Sequence, residues 1–230
     1  MPTNTSELPF VAVLWDMDGT LIDSEPIWIA QERELMNSLG ASWSEADAIH
    51  CIGGPMTRVD AYMRSKLSLA QQSEYPPMAL TAKLLERMEV QLAKGVDFAP
   101  GARKLLNEMS ALGMPMGLVS ASSRKLVDAA LSFIGHDYFQ ITISNDDVIS
   151  SKPSPEGYLK AAEYLEVDIE QTLILEDSVT GVTAAMNSGA YVIGIDHVTK
   201  LPNGARVIHT PNLESVSVAD LVKAVVGVGR

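Results

Sequence analysis

The pattern of apolar positions changes character along the chain. Residues 10–15 (FVAVLW) form a continuous apolar run ended by Asp and Gly, which predicts a buried strand. The next comparable run is at 116–119 (MGLV). Between them the spacing is helical. Residues 26–39 place Ile27, Trp28, Leu35 and Leu39 ahead of a stop at Gly40, and two more helices are predicted over 57–69 and 79–92, on either side of the breaker Pro76-Pro77. Residues 94–101 (KGVDFAPG) read as a linker, followed by a helix over 102–112.

Beyond Val119, helices and strands alternate. Helices are predicted over 123–133, 154–165 and 179–188. Strands are predicted over 139–144 (FQITIS), 172–175 (TLIL) and 190–195, and a closing helix over 216–226. Alternation at this spacing predicts an α/β fold, a parallel sheet wrapped by helices. Because the long helical block contains no convincing strand, it reads as an insertion. Residues 1–23 and 95–230 then make an α/β core, and 24–94 a helical cap inserted after the first strand.

Composition narrows the partners. The 230 residues are 47% hydrophobic, enough for a sizeable core, and carry a formal net charge of −12 with a pI near 4.7. Such a surface repels nucleic acid and anionic membrane, whose binding depends on clustered Lys and Arg. An anionic substrate must therefore be captured by a local device, a metal ion or a few placed cations. The polar N-terminus lacks a basic stretch leading into a long apolar segment, and no apolar run approaches about 18 residues. With Cys51 as the lone cysteine, a reducing, cytoplasmic setting is expected, and a monomer or weak homodimer. The four histidines, His50, His136, His197 and His209, are too far apart to suggest a zinc site.

The chemistry lies just after the apolar runs, since open parallel sheets bind ligands at the carboxyl ends of their strands. Asp16-Met17-Asp18-Gly19-Thr20 follows the first run and Ser120 the second. Ser151-Lys152-Pro153 follows the third, and Glu176-Asp177 the fourth. One hydroxyl, one lysine and four carboxylates are thus expected on one sheet edge. Four carboxylates cannot stay ionised together without a cation. An all-oxygen donor set selects a hard one, which makes Mg²⁺ the expected cofactor. Lys152 is placed to hold a phosphate, and Ser120, at a strand end leading into a helix, to donate a hydroxyl beside backbone N–H groups. Asp16 and Asp18, two apart in extended geometry, point the same way, so one carboxylate can attack while the other handles the leaving-group proton. Singly, each element has a plainer use, Ser120 as a helix cap or Lys152 as a solvated loop lysine. Their joint placement carries the reading.

Four segments resemble the haloacid dehalogenase superfamily, in its β-phosphoglucomutase-like and sugar-phosphate-phosphatase branch. They are LWDMDGTLIDSEPIW (14–28), GLVSAS (117–122), SNDDVISSKPSPEGYL (144–159) and LEDSVTGVTAAMNSGA (175–190). The resemblance covers nearly the whole chain. It implies a Rossmann-like core with a helical cap, Asp16 as nucleophile and Asp18 as acid/base. It also implies Ser120, Ala121 and Lys152 as phosphate ligands, and Mg²⁺ held by Asp16, the Asp18 carbonyl and Asp177, with Glu176 close by. Arg58 is a candidate substrate contact, although the loop Gly53-Gly54-Pro55-Met56-Thr57-Arg58 matches the family's specificity loop only loosely. Trp28 is a candidate for core packing or for stacking on substrate.

The expected activity is hydrolysis of a small phosphorylated metabolite, a sugar or polyol phosphate. The nearest alternative is a phosphosugar mutase, which would return the phosphoryl group to a sugar; the 25–28 stretch lacks the histidine that mutases carry near this point. Dehalogenases need no metal cluster or second acid, and phosphonate hydrolases lack a carboxylate where Asp18 stands. A phosphoacceptor signalling domain would be about half this length and uncapped.

Overall fold

The computed structural model describes residues 8–52, 55–196 and 200–228. Gly53, Gly54 and His197, and most of the polar N-terminus, lie outside the described residues. The predicted buried runs become β1 (Ala12–Trp15), β2 (Met116–Val119), β3 (Ile141–Ile143), β4 (Thr172–Glu176) and β5 (Tyr191–Ile195). A strand not anticipated, β6 (Val207–Thr210), completes the sheet among the described residues. All pairings are parallel, in the order β3-β2-β1-β4-β5-β6. The chain builds outward from β1 through β2 to β3, then crosses back to start the other half at β4. Strand order therefore reverses between β1 and β4, where a doubly wound sheet opens a crevice at its carboxyl edge. In the ladder Trp15 stands beside both Leu118 and Leu175, so the residues leaving β1, β2 and β4 emerge at one level.

Two compact units make up the chain, Met1–Asp23 with Asp97–Arg230, and Ser24–Val96. In the first, Ile22 bridges Phe98 and the Asp23 N–H donates to the Asp97 carbonyl at 2.9 Å, clamping the point where the chain leaves and returns. This unit also holds α6 (Ala102–Ala111), α7 (Arg124–Ile134), α8 (Glu156–Tyr164), α9 (Val179–Ser188) and α10 (Val218–Val228). Strands β1, β2 and β4 are buried along their whole length, as strands without a solvent face must be. Leu14, Val119, Ile174 and Val192 pack against Tyr158, Val182 and Ala185 of α8 and α9. The close approach of α8 depends on Gly157, where a Cβ would stand 2.9 Å from Val119 Cγ1.

The second unit is helical: α1 (Glu25–Ser38), α2 (Glu45–Cys51), α3 (Met56–Ser65), α4 (Leu69–Glu74) and α5 (Ala79–Lys94). Leu35, Met36, Trp43, Val59, Met63, Leu80 and Leu84 form its own core, and Trp28 packs half-buried against it. The helix expected over 57–69 is broken. Ser68 and Gln71 cap each other's backbone reciprocally, and this starts α4 afresh. Cys51 is buried, and burial, with the charge of Glu32, pushes its thiol up to about 12; it serves as packing. Burial, then the charge of Glu25, likewise pushes Glu32 up to about 7. Among the described residues no helix is long and apolar enough to cross a membrane.

Candidate active site

Every catalytic and metal-ligating candidate lies in the first unit. Asp16 follows β1 directly, and its N–H still donates to the Leu175 carbonyl at 3.0 Å, so the ladder carries the residue to the sheet edge. The chain then turns sharply: Leu21 and Ile22 both donate to the Met17 carbonyl, and Gly19 donates to that of Ile22. Gly19 has φ +85°, and a Cβ there would come within 2.1 Å of Asp177 Oδ2. Both the left-handed backbone and the close approach require glycine.

Lys152 enters from the loop after β3. Its Nζ lies 2.5 Å from Asp16 Oδ1, 2.6 Å from Glu176 Oε1 and 2.9 Å from the Val119 carbonyl. Glu176, the last residue of β4, is completely buried. Its Oε1 accepts from Lys152 and from the Tyr158 hydroxyl at 2.8 Å. Its Oε2 accepts from the N–H groups of Asp177 (3.1 Å) and Ser178 (3.2 Å) and from the Ser178 hydroxyl (3.2 Å). Gly181 makes room for that carboxylate, since a Cβ there would stand 1.7 Å from Oε1. Thr20 donates to Asp177 Oδ1 at 3.0 Å. Across the site, Ser122 donates its hydroxyl to Asp18 Oδ2 at 2.8 Å and its N–H to Ser120 Oγ at 3.0 Å. Ala121 lies between these two serines, in the turn that connects β2 to α7.

Charge is the unsolved problem of this arrangement. Burial first, then the charge of Glu176, holds the Asp16 carboxyl well above the usual carboxylate range, with Lys152 only partly opposing the shift. Burial and Glu176 also push Asp177 up to about 7. Burial alone would discharge Lys152, but Asp16 and Glu176 outweigh it and keep the ammonium strongly charged. One carboxylate oxygen each from Asp16, Glu176 and Asp177 lies within 4.8 Å of the others. Three carboxylates against one ammonium leave an excess that a proton or a cation must relieve. An all-oxygen donor set fits a hard divalent cation.

A pH dependence follows. In the metal-free protein Asp177 keeps a proton in the folded state up to about pH 7, while its ordinary value is 3.8. Between those values the folded state binds more protons than the unfolded one, so this group's contribution to stability falls as pH rises. A bound cation displaces the proton and removes the penalty. Mg²⁺ is therefore expected to raise the melting temperature more at pH 8 than at pH 5. An equal shift at both values would exclude the carboxylates as its site.

Arg58 lies on α3 of the second unit, where Nη2 donates to the Ile52 carbonyl at 3.3 Å. Tyr158 and Ser122, which hold Glu176 and Asp18, are not among the residues expected at the site. The available signal for Tyr158 was its hydroxyl, which must find a partner when the ring sits on a buried helix face.

The family model described as haloacid dehalogenase-like hydrolase matches residues 13–195. Hexitol phosphatase B of Escherichia coli K12 is 32% identical over 178 residues, 76% of this chain and 78% of that protein. The bifunctional riboflavin kinase/FMN phosphatase of Arabidopsis thaliana is 29% identical over 192 residues, which are 82% of this chain but 49% of the longer relative. Among solved structures, CbbY from Rhodobacter sphaeroides in complex with phosphate superposes with a TM-score of 0.73 at 24% identity. That alignment covers 92% of this chain and 99% of CbbY.

Proposed function

The chain belongs to the haloacid dehalogenase-like hydrolases, and from that premise we infer a Mg²⁺-dependent phosphomonoesterase that works through an aspartyl-phosphate intermediate. The substrate class is a small phosphorylated metabolite, a sugar or polyol phosphate, in keeping with the hexitol phosphatase relative. The observation that carries the reading is the buried contact of Asp16 with Lys152, beside Glu176 and Asp177. A nucleophilic carboxylate, a phosphate-binding cation and a cation-binding acidic group share one edge of the sheet.

In the first step an Asp16 oxygen attacks phosphorus in line with the ester oxygen. The P–O ester bond breaks, and Asp18 gives its proton to the departing alkoxide. In the second, the Asp18 carboxylate takes a proton from water as the water oxygen attacks phosphorus. The acyl-phosphate bond breaks, inorganic phosphate leaves, and Asp16 is regenerated. Ser120, the Ala121 backbone and Lys152 hold the phosphoryl oxygens. Asp16, the Asp18 carbonyl and Asp177, with Glu176 adjacent, would hold Mg²⁺, which would offset the repulsion between the carboxylate nucleophile and the phosphate. In this proposal Arg58 is a cation available for substrate selection, and the lone buried cysteine fits a cytoplasmic setting.

The test is phosphate release from a panel of hexose, pentose and polyol monophosphates. Steady release is expected with Mg²⁺, none in excess chelator, and recovery when Mg²⁺ is restored. Full activity in chelator would remove the metal from the mechanism. β-Glucose 1-phosphate should release phosphate without preferential conversion to the 6-phosphate; isomerisation outrunning release would identify a mutase.

A further inference from the structure

We propose that Arg124 is a positioning residue for this reaction. Its guanidinium ties the turn that carries Ser120 to the loop that carries Lys152, and so fixes where the lysine meets the phosphate. The proposal rests on the phosphatase reading above.

The loop between β3 and α8 must deliver a buried lysine to Asp16, yet beyond a single turn at Asn145–Asp147 it has no regular structure. Charged side chains hold it instead. Arg124 is the first residue of α7, two positions beyond Ser122. Its Nη1 donates to Thr142 Oγ1 at 2.8 Å and to Asp128 Oδ1 at 3.2 Å, and its Nη2 donates to the Thr142 carbonyl at 2.8 Å and to Asp147 Oδ2. The Arg124 N–H donates to Asp146 Oδ2 at 2.8 Å, and the Asn145 N–H to the Ser122 carbonyl at 2.9 Å. Asp147 Oδ2 also accepts from the Ser144 N–H (2.8 Å) and hydroxyl (2.6 Å), so the oxygen that Arg124 grips also locks the turn opening the loop. Farther along, Glu156 accepts from the N–H groups of Ile149 and Ser150, and Lys160 donates to the Asp147 carbonyl.

Arg124 thus contacts the end of β3, the opening turn of the Lys152 loop and its own helix at once. Only a planar guanidinium can aim several N–H groups this way; an ammonium of similar reach is a point charge. The side chains of Arg124 and Asp147 are 29% and 39% exposed. Ion pairs that open to solvent add little to global stability, so the network's main effect is on the placement of the loop.

The experiment compares steady-state kinetics and inhibition by inorganic phosphate in the full-length protein, Arg124→Ala and Arg124→Lys, with melting curves for each. Loss of positioning weakens every phosphate contact of Lys152. The KM for substrate and the inhibition constant for phosphate are therefore expected to rise together, by about tenfold in Arg124→Ala and by less in Arg124→Lys. A fall in kcat with both constants unchanged would mean a lost active fraction and would overturn the proposal, as would kinetics equal to wild type. If Arg124→Ala does not fold, Asp147→Asn, which removes the ion pair but keeps an oxygen acceptor, must move the same two constants; unchanged constants overturn the proposal. An inactive wild type would overturn the phosphatase reading and this proposal with it. An active wild type with unaltered Arg124→Ala constants overturns this proposal alone.

Discussion

Asp16→Asn is expected to abolish phosphate release while leaving the fold intact. The substitution preserves shape, and the amide oxygen can still accept from Lys152, which now contacts Asp16 Oδ1 at 2.5 Å. An amide cannot form the acyl phosphate, so the covalent route closes. Turnover should fall by more than about a thousandfold, roughly 4 kcal/mol of barrier. Steady-state phosphate release checks this, with mass spectrometry excluding deamidation back to aspartate. A smaller loss would mean that Asp16 assists the reaction without being the attacking group.

The second large effect is expected at Lys152. Its side chain is 8% exposed and stands between Asp16 and Glu176. Lys152→Ala leaves buried carboxylates facing one another with no internal counter-charge. Removing one partner of such a pair costs about 3–5 kcal/mol, and a domain of this size loses about 2–4 °C of melting temperature per kcal/mol. The cost should be greatest near pH 8. By pH 5 Asp177, pushed up to about 7, has taken a proton, and the raised Asp16 holds one more readily, so less negative charge awaits compensation. Mg²⁺ should restore part of the stability but little of the activity, because the phosphate ligand stays missing. Calorimetry with and without Mg²⁺, alongside kcat, separates the two. Unchanged melting at pH 8 would contradict the buried-charge account.

The sheet and the strand-end residues were legible in the sequence for a physical reason. Strands buried on both faces read as unbroken apolar runs, and in a parallel sheet whatever follows them arrives at one edge. That logic placed Asp16, Ser120 and Glu176-Asp177 without any tertiary information. It failed at β6, where VIHT is half exposed and shows neither an apolar run nor clean alternation. It also overextended β3, because the Ser144 side chain and Asp147 compete for the backbone and end the strand at Ile143. Helix α2 went unread although Ser44 and Asp47 form a reciprocal cap, since its seven residues are too few to show a helical period. The supporting contacts were hidden for another reason. Tyr158 to Glu176, Ser122 to Asp18 and Arg124 to Asp147 each join residues far apart in the chain, and nothing in local spacing reports such a meeting.

The central claim is that the phosphoryl group passes first to Asp16 and then to water. The stereochemical course at phosphorus tests it, whether or not the intermediate accumulates. A phosphorothioate monoester made chiral with oxygen isotopes is hydrolysed in isotopically labelled water, and the configuration of the released thiophosphate is determined. Two successive in-line displacements predict overall retention. Inversion would mean that water attacks phosphorus directly, and would contradict the aspartyl-phosphate mechanism.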